Sequence, residues 1–237
     1  MKYIASISFG KDSLAMLLKI IELNMPLDEV VFYNTGMEFD CIYKIRDQVK
    51  KMLKSKGINF VELKPNEPFI YTMFEKPVLK RDGTKSFGYS WCGGRCRWGT
   101  TEKLHAIDKY CQGHHQYIGI AFDEPNRYKR LSSNKSSPIY ELKMTEKDCL
   151  DYCYKKGFKW EECGIDLYSI LDRVSCWCCC NKNLKELKNY FLYLPTYWNR
   201  LKELQSKTTR PMKYNKYTVY DLEYKFRQES YQMKLED

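Results

Sequence analysis

No long apolar run occurs in this sequence of 237 residues. A helix that spans a bilayer needs roughly 18 consecutive apolar residues, so we expect no transmembrane segment. The N-terminus enters an apolar run directly, without a basic region before it, and this predicts the absence of a signal peptide. Both absences favour a cytoplasmic protein. In that compartment the 11 cysteines are expected to stay reduced or to bind metal.

Internal repeats and low-complexity segments are also missing, and histidine is scarce. The three histidines, His105, His114 and His115, show no ligand spacing, so we assign them no metal role. The hydrophobic share of 43% and the charged share of 30% are typical of a globular chain. The net charge of +10 permits a nucleic-acid partner. Because the lysines are scattered, a solvated and broadly basic surface is the favoured interpretation.

A polar loop lies between a predicted strand, Tyr3 to Ile7, and a predicted helix. Its candidate nucleotide-binding residues are Ser6, Ser8, Gly10, Lys11, Asp12 and Ser13. A strand-to-helix turn presents backbone N–H groups and the positive end of the helix, which suit a polyphosphate. The P-loop pattern G-x-x-x-x-G-K-[ST] is absent, because Asp12 follows the lysine.

Strand-like and helix-like segments alternate from residue 3 to residue 63. Glu29 to Tyr33 and Ile58 to Leu63 predict two further strands, and a helix from Asp40 to about Lys54 lies between them. This order predicts an α/β Rossmann-like fold, with a parallel sheet and helices on both faces. Ligands of such sheets bind beyond the carboxyl ends of the strands, where Thr35 and Gly36 also lie.

The remaining elements are less regular. We predict a long functional or flexible loop at 65–89, a helix from Thr100 or Thr101 to about Cys111, strands at 117–121 and 137–140, a helix from Thr145 to about Lys155, an irregular segment at 165–172, and helices at 184–194, 197–204 and 218–233. This pattern predicts a nucleotide-binding core at 1–140 and a mostly helical part at 141–237. The two parts are expected to form one integrated domain to about residue 204.

The stretch Ser8-Phe9-Gly10-Lys11-Asp12-Ser13 resembles the S-x-G-K-D-S signature of the PP-loop superfamily. Its members bind ATP or an adenylyl sulfate on a Rossmann-like sheet of the adenine nucleotide alpha hydrolase type. The stretch Asn34 to Phe39 is similar to the D-T-G-x-x-[FY] segment of the phosphoadenosine phosphosulfate reductase family, with Asn34 in place of the usual Asp. The resemblance implies that Thr35 and Gly36 contact an adenine nucleotide.

The stretch Gly119 to Arg127 resembles the G-x-R-x-x-E-S-x-x-R region of the same family. Ala121 or Phe122 stands near the position of the family's arginine. The resemblance implies that the anionic end of the substrate is met by four charged residues: Asp123, Glu124, Arg127 and Arg130. The alternative is a solvated charged loop, and the residues themselves favour neither interpretation.

Two short cysteine pairs occur, Cys92 with Cys96 and Cys176 with Cys179. Two thiolate pairs fit a four-sulfur site for zinc or for an iron–sulfur cluster, and buried thiols without metal are the alternative. Cys178 and Cys180 are spare or alternative ligands. The remaining cysteines, namely Cys41, Cys111, Cys149, Cys153 and Cys163, are predicted to lie in the core.

The segments around these pairs, 96–104 and 168–179, are similar to cysteine-containing segments of the reductase family, although Leu171 and Ser175 replace glycines. Some members, including assimilatory adenylyl sulfate reductases and DNA phosphorothioation enzymes, carry a four-iron cluster there. The resemblance therefore implies a 4Fe–4S cluster ahead of zinc.

The assimilatory reductases use a nucleophilic cysteine in an E-C-G-L-H tail, whereas this sequence has no cysteine after Cys180 and ends at Asp237. The resemblance is therefore closer to members that use ATP, with Mg²⁺, to adenylylate an acceptor for sulfur transfer. An adenine nucleotide and a sulfur-donor protein are the implied partners. No catalytic residue is assigned. The alternatives are a reductase or hydrolase of an adenylyl sulfate that uses one of Cys176 to Cys180, and a nucleotide- or nucleic-acid-binding protein without turnover.

Overall fold

The computed structural model describes residues 1–92 and 96–236. The strands are β1 Tyr3–Ile7, β2 Glu29–Tyr33, β3 Asn59–Leu63, β4 Pro77–Leu79, β5 Lys85–Phe87, β6 His115–Ile118, β7 Lys135–Ser136, β8 Glu161–Glu162 and β9 Ile165–Asp166. The helices are α1 Lys11–Glu22, α2 Asp40–Ser55, α3 Phe69–Phe74, α4 Lys103–Tyr110, α5 Pro125–Tyr128, α6 Pro138–Glu141, α7 Glu146–Lys155, α8 Leu167–Ile170, α9 Leu184–Tyr193, α10 Pro195–Ser206 and α11 Val219–Glu236. Arg97–Glu102 forms a π-helical turn that leads into α4.

The chain forms two compact units that alternate along the sequence. The first contains residues 1–64 and 102–160, and the second contains residues 65–101 and 161–237. The two parts predicted from the sequence, 1–140 and 141–237, differ from these units because each predicted part is one continuous segment of the chain. Within the described part of the chain, no helix is both long enough and apolar enough to cross a membrane.

The first unit is built on a five-stranded parallel sheet with the order β3-β2-β1-β6-β7. Every residue of β2 is buried, as expected for a central parallel strand with both faces covered. The chain runs outward through β1, β2 and β3 and then returns to β6 on the other side of β1. The strand order therefore reverses between β1 and β6, which is where ligands of such sheets bind. This topology confirms the predicted α/β Rossmann-like fold.

Helix α1 is the main packing partner of the sheet in this unit. Leu14, Leu17 and Ile20 on α1 are fully buried, and α6 and α7 also pack against this helix. The start of α7 was predicted correctly: Thr145 and Asp148 form a reciprocal capping box, in which each side chain accepts from the other residue's N–H.

In the second unit, α9, α10 and α11 pack through an aromatic cluster. The rings of Phe191, Trp198 and Phe226 have centroids between 5.6 and 6.1 Å apart. The cysteine-rich stretch, residues 176–180, lies between α8 and α9. The predicted helical C-terminal region is confirmed.

The predicted loop at 65–89 is wrong, because this segment contains α3 and the β4–β5 hairpin. Its prolines and glycine punctuate these elements. Pro68 is the N-cap of α3, and Gly83 occupies the hairpin turn with φ +82°. Likewise, 165–172 is ordered as β9 and α8, although we expected it to be irregular.

Other boundaries differ where proline or a tight turn decides the local structure. The segment 137–140 was predicted as a strand, but Pro138 occupies the first turn of α6. Pro195 begins α10 and does not merely end α9. Helix α4 is entered from the π-helical turn, so neither Thr100 nor Thr101 caps it. Cys163 was expected in the core, but it is exposed in the β8–β9 turn with φ 53°.

Candidate nucleotide site and cysteine cavity

The loop between β1 and α1, residues 8–10, turns at Phe9. Phe9 has φ 60°, a value that is uncommon for a residue other than glycine. Its buried ring packs on Phe32, with centroids 4.9 Å apart, and its carbonyl oxygen accepts a hydrogen bond from Trp160 Nε1 at 2.8 Å. These contacts hold the strained residue in one conformation. Gly10 has an ordinary extended backbone and forms the N-cap of α1.

Serine hydroxyls close the loop on itself. The Ser8 N–H donates to Ser13 Oγ at 3.1 Å. The Ser13 hydroxyl in turn donates to the Gly10 carbonyl oxygen at 3.1 Å. Helix α1 begins after Gly10, which has no side chain to cap it, and the positive end of the helix faces this loop. Ser6 precedes the loop and lies within β1, where it pairs with Val31 of β2 and Ile118 of β6.

Lys11 is the first residue of α1, and its side chain is 9% exposed. Its ammonium lies 2.5 Å from the Glu146 carboxylate and 3.4 Å from that of Asp12. The backbone N–H of Glu146 donates to Asp123 at 3.1 Å. The charge expected to meet a phosphate therefore faces carboxylates, and an incoming anion must compete with Glu146 for it.

Asp12 has a buried carboxylate oxygen, Oδ1, with no hydrogen-bond partner among the described residues. Burial raises the pKa of Asp12 to about 6; Lys11 opposes this shift, and Glu146 adds to it. A buried carboxylate oxygen without a donor is a site that a cation can satisfy, and hard oxygen ligands suit Mg²⁺. Asp12 would be the residue that holds a Mg²⁺ ion here, in competition with the Lys11 ammonium, which lies 3.4 Å from the same oxygen.

The loop after β2 lies beside the first loop, at the carboxyl end of the neighbouring strand. Gly36 has φ +79°, and its N–H donates to Asn34 Oδ1 at 2.8 Å. The Asn34 amide nitrogen donates to Glu62 at 2.8 Å. A carboxylate at position 34 could accept the first bond but could not donate the second. This gives a local reason for asparagine here. Thr35 is buried and donates to Glu38 at 3.1 Å.

The loop after β6 carries the four predicted substrate-binding residues. Arg127 forms an ion pair with Glu124, and Arg130 Nε donates to the Asn126 carbonyl at 2.8 Å. Both arginines are exposed and make these bonds within or next to α5. Asp123 instead accepts the backbone N–H at the start of α7. Contact of these side chains with a substrate stays a prediction.

Gly119, directly after β6, was not singled out from the sequence. A Cβ on this residue would lie 2.7 Å from the Ser13 N and Cα atoms and 2.9 Å from the Asp12 carbonyl carbon. Glycine is therefore required for β6 to approach the start of α1. A glycine in the interior of the strand predicted at 117–121 was the available signal, because such a glycine often marks the close approach of another backbone.

We expect Gly119→Ala to destabilise the protein by about 1–3 kcal/mol, because the added methyl group meets backbone atoms that cannot rotate away. The free energy of unfolding in urea tests this expectation. Gly99→Ala is the control, since its Cβ would meet no atom nearer than 3.7 Å. Equal stabilities of the two variants would contradict the required close approach.

The predicted cysteine ligands, Cys92, Cys96, Cys176 and Cys179, line one cavity of about 130 Å³, which Cys178 and Cys180 also reach. Gly99 separates the two pairs. A Cβ on it would lie 3.9 Å from Cys96 Sγ and 3.7 Å from Cys176 Sγ. The Gly99 N–H donates to Cys96 Sγ at 3.4 Å. The π-helical turn thus brings the first pair to the second.

The thiols surround this cavity without converging on one point. In the described parts of the chain, no three Cys, His, Asp or Glu side chains are grouped closely enough to hold one metal ion. A hydrogen bond from the partner thiol lowers the pKa of Cys92 to about 6 and raises that of Cys96. The pair therefore carries a thiolate near neutral pH, the form that binds metal.

Comparison with known proteins identifies the family. The sequence profile of the phosphoadenosine phosphosulfate reductase domain matches residues 2–132, which include the loops after β1, β2 and β6. The chain belongs to this family. Membership of this family suggests a nucleotide-binding, sulfur-related function for this reductase-family protein.

The uncharacterized protein MJ0066 of Methanocaldococcus jannaschii is a distant relative. It is 24% identical over 216 residues, which cover 81% of this chain. The match spans 39% of the length of MJ0066.

In this reductase-family protein, two buried lysines donate hydrogen bonds to backbone carbonyls just before and at the end of the cysteine-rich stretch, residues 176–180. Lys182 Nζ donates to the Arg173 carbonyl at 3.2 Å, and Lys213 Nζ donates to the Cys180 carbonyl at 3.1 Å. Lys182 is 4% exposed and Lys213 is 6% exposed. Burial lowers the pKa of Lys182, with Glu186 opposing the shift. Buried ammonium groups are costly without negative charge nearby, and thiolates in the cavity would supply it.

Proposed function

We propose that this protein is an ATP pyrophosphatase of the PP-loop type that adenylylates an acceptor and thereby prepares it for sulfur transfer. One observation carries the proposal. The start of α1, with Lys11 beside it, lies where the strand order reverses. The buried Asp12 Oδ1 atom lies next to them; it accepts no hydrogen bond from the described residues, and the Lys11 ammonium is 3.4 Å away from it.

In this proposal the N–H groups of the α1 N-terminus and the Lys11 ammonium bind the β- and γ-phosphates of ATP. Asp12 holds the accompanying Mg²⁺ through its buried oxygen. Glu146 leaves Lys11 when the phosphates arrive, because both compete for the same ammonium. The turn at Thr35 and Gly36, on the adjacent strand, contacts the nucleoside.

The reaction proposed at this site is a displacement at the α-phosphorus. An oxygen of the acceptor attacks this atom, the bond to the β-phosphate oxygen breaks, and pyrophosphate leaves with the electron pair. A sulfide or persulfide then attacks the adenylylated carbon, and AMP leaves. The fixed α1 N-terminus orients the phosphates for the first step.

In this proposal the cysteine cavity holds a 4Fe–4S cluster in preference to one zinc ion. Each thiolate of such a cluster binds a different iron, so the sulfurs surround a volume, whereas four sulfurs around zinc lie about 2.3 Å from one atom. Cys92, Cys96, Cys176 and Cys179 would hold the cluster, which when bound would hold or relay sulfur. Zinc remains the alternative metal.

Product analysis tests this proposal. The protein is incubated with MgATP and candidate acceptors, together with sulfide. We expect pyrophosphate and AMP in equal amounts, and neither product from the Lys11→Ala variant. ADP and phosphate in their place, or binding of ATP without any turnover across the acceptors, would reject the pyrophosphatase assignment. The second result would favour a nucleotide-binding protein without turnover.

The family itself favours a second candidate, a reductase of adenylyl sulfate or of its 3′-phosphorylated form. The thiols of this candidate, Cys176 to Cys180, line or adjoin the cavity, and thiolates bound to metal are poor free nucleophiles. We therefore expect no thioredoxin-dependent release of sulfite from either compound. Catalytic sulfite release would establish the reductase in place of the pyrophosphatase.

Removing the negative charge of Glu146 is expected to strengthen binding of MgATP. Glu146→Gln keeps the shape of the side chain but weakens its competition for Lys11, so we expect a gain of about 1–2 kcal/mol, measured by calorimetry. Asp151→Asn is the matched control, because it changes the same charge on the same helix at a residue paired with Lys147 in solvent. Weaker binding to Glu146→Gln would show that Glu146 assists the nucleotide.

The affinity for MgATP is also expected to fall as the pH drops through about 6. Asp12 is a carboxylate above its raised pKa and a neutral acid, hence a poor Mg²⁺ ligand, below it. Calorimetry between about pH 8 and pH 5 measures this loss. Because the nucleotide also titrates, Asp12→Asn is the reference. An identical pH dependence in this variant would exclude Asp12 as the titrating group.

A further inference from the structure

A second cavity, of about 390 Å³, adjoins the cysteine cavity within the second unit. The two cavities share the residues Trp91, Cys180 and Asn181. The segment 210–215, which carries Arg210, Lys213 and Tyr214, also lines the second cavity. The volume lies within the range of small-molecule sites, roughly 300–1,000 Å³.

In the described part of the chain, two cations line this cavity. The Lys213 ammonium donates to the carbonyls of Cys180 and Lys182, at 3.1 and 2.5 Å. Both acceptors are neutral. Among the described residues, neither Lys213 nor Arg210 has a carboxylate at ion-pair distance. A buried ammonium that is hydrogen-bonded yet not neutralised favours a negative charge in the space beside it.

The backbone that carries Arg210 is fixed by hydrogen bonds that do not involve its side chain. Its N–H donates to Thr208 Oγ1 at 3.2 Å, and its carbonyl accepts from Gln205 Nε2 at 3.1 Å. The side chain itself is exposed. The guanidinium is therefore available to a ligand, and its removal is not expected to disturb the fold.

A tight turn at 213–216 contributes Lys213, Tyr214 and Asn215 to the lining of this cavity. Tyr214 and Asn215 have φ 56° and 52°, and the Lys216 N–H donates to the Lys213 carbonyl at 3.0 Å. Two successive positive φ values make this a turn of type I′, which usually takes glycine or asparagine. Tyr214 is 66% exposed although it occupies this strained position. The turn thus holds an aromatic ring at the edge of a cationic cavity.

We propose that this cavity binds a phosphate ester of nucleotide size. Lys213 and Arg210 would bind the phosphate, since a guanidinium can bond two phosphate oxygens at once. The Tyr214 ring would stack on the base, an interaction that tolerates any base. A free mononucleotide and the phosphorylated end of a nucleic acid share this chemistry. Because Cys180 lines both cavities, the bound ester would lie beside the thiols. We infer that this ester is the acceptor of sulfur, and this part of the inference rests on the proposed function.

Thymidine 5′-monophosphate is the first probe, titrated by calorimetry into the full chain carrying Lys11→Ala, so that the nucleotide loop contributes little. We expect this ester to bind at least about tenfold more tightly than thymidine, and Arg210→Ala to remove most of this difference. Lys207→Ala is the matched control, because it removes an exposed cation close in sequence but outside the cavity. Equal affinity for ester and nucleoside, or no effect of Arg210→Ala, would overturn the proposal.

Short oligothymidylates with and without a 5′-phosphate distinguish a free mononucleotide from the phosphorylated end of a nucleic acid as the natural ligand. Tighter binding of the phosphorylated strand than of the mononucleotide would identify a nucleic-acid end, whereas equal or weaker binding would identify a free nucleotide. Dependence of either ligand on Arg210 supports the cavity. With Lys11 intact, MgATP should protect the backbone amides at 8–14 from hydrogen exchange equally in the Arg210→Ala protein and in the unmodified protein. If the loop after β1 is not the nucleotide site, the Lys11→Ala variant will bind MgATP as tightly as the unmodified protein. The proposed function and the cavity are therefore tested by separate measurements.

Discussion

Replacing Cys176 and Cys179 together by serine is expected to abolish metal binding by the anaerobically purified protein. The two residues form one of the two thiol pairs around the cavity, and serine hydroxyls are poor ligands for iron and for zinc. Cys92 and Cys96 alone supply too few thiolates for a four-iron cluster, so a loss of metal would also show that Cys178 and Cys180, which line the same cavity, do not take over as ligands. Metal analysis and the visible absorption spectrum measure the loss.

The same double variant is expected to be less stable, because metal binding at such a site is coupled to folding. Urea unfolding of both proteins tests this. Cys163→Ser is the control, since Cys163 is exposed in the β8–β9 turn and does not line the cavity. Full metal content in the double variant would eliminate Cys176 and Cys179 as ligands. An unmodified protein without iron or zinc would instead support buried thiols.

Lys11→Ala is expected to weaken binding of MgATP by about 1.5–3 kcal/mol, the range for hydrogen bonds with charged partners. This corresponds to a loss of roughly 10- to 150-fold in affinity. The ammonium lies at the start of α1, and its removal also leaves Asp12 and Glu146 without their shared cation. Electrostatic repulsion of the phosphates would add to the loss.

Calorimetric titration with MgATP measures this effect, and urea unfolding verifies that the variant is folded. Lys19→Ala is the matched control, because Lys19 lies on the same helix and pairs with Glu22. An affinity equal to that of the unmodified protein would show that the phosphates bind elsewhere.

Much of the first unit was predictable because its signals are local. β1 and β2 have the predicted bounds, since short apolar runs between turn residues are typical of buried parallel strands. Their alternation with helices predicts the parallel order, and the order in turn places the loops after β1 and β2 together. The capping box at Thr145 is also a local pattern, and it was confirmed.

The errors arose where a residue acts through its neighbours in space. Prolines at 68, 138 and 195 begin helices, but along the sequence they resemble interruptions. The requirement for Gly119 depends on the approach of β6 to α1, which only the folded sheet reveals. The pairing of Lys11 with Glu146 joins residues 135 positions apart, and no local pattern indicates it.

The cysteine site depends both on a local sequence signal and on contacts between residues that are distant in sequence. The spacing of Cys92, Cys96, Cys176 and Cys179 predicted that the two pairs share a site, and they line one cavity. The position of Gly99 between a thiol of each pair, and the two buried lysines beside the cavity, depend on tertiary contacts. The identity of a bound metal stays a prediction.

Hydrogen exchange with and without MgATP tests the central claim, that the start of α1 is the nucleotide site. At saturation, we expect slower exchange of the backbone amides at 8–14, together with those at 35–37 on the neighbouring strand end. The Lys11→Ala protein at the same nucleotide concentration should show little of this protection. Saturating binding that leaves the amides at 8–14 unprotected, or that protects only another region, would contradict the account.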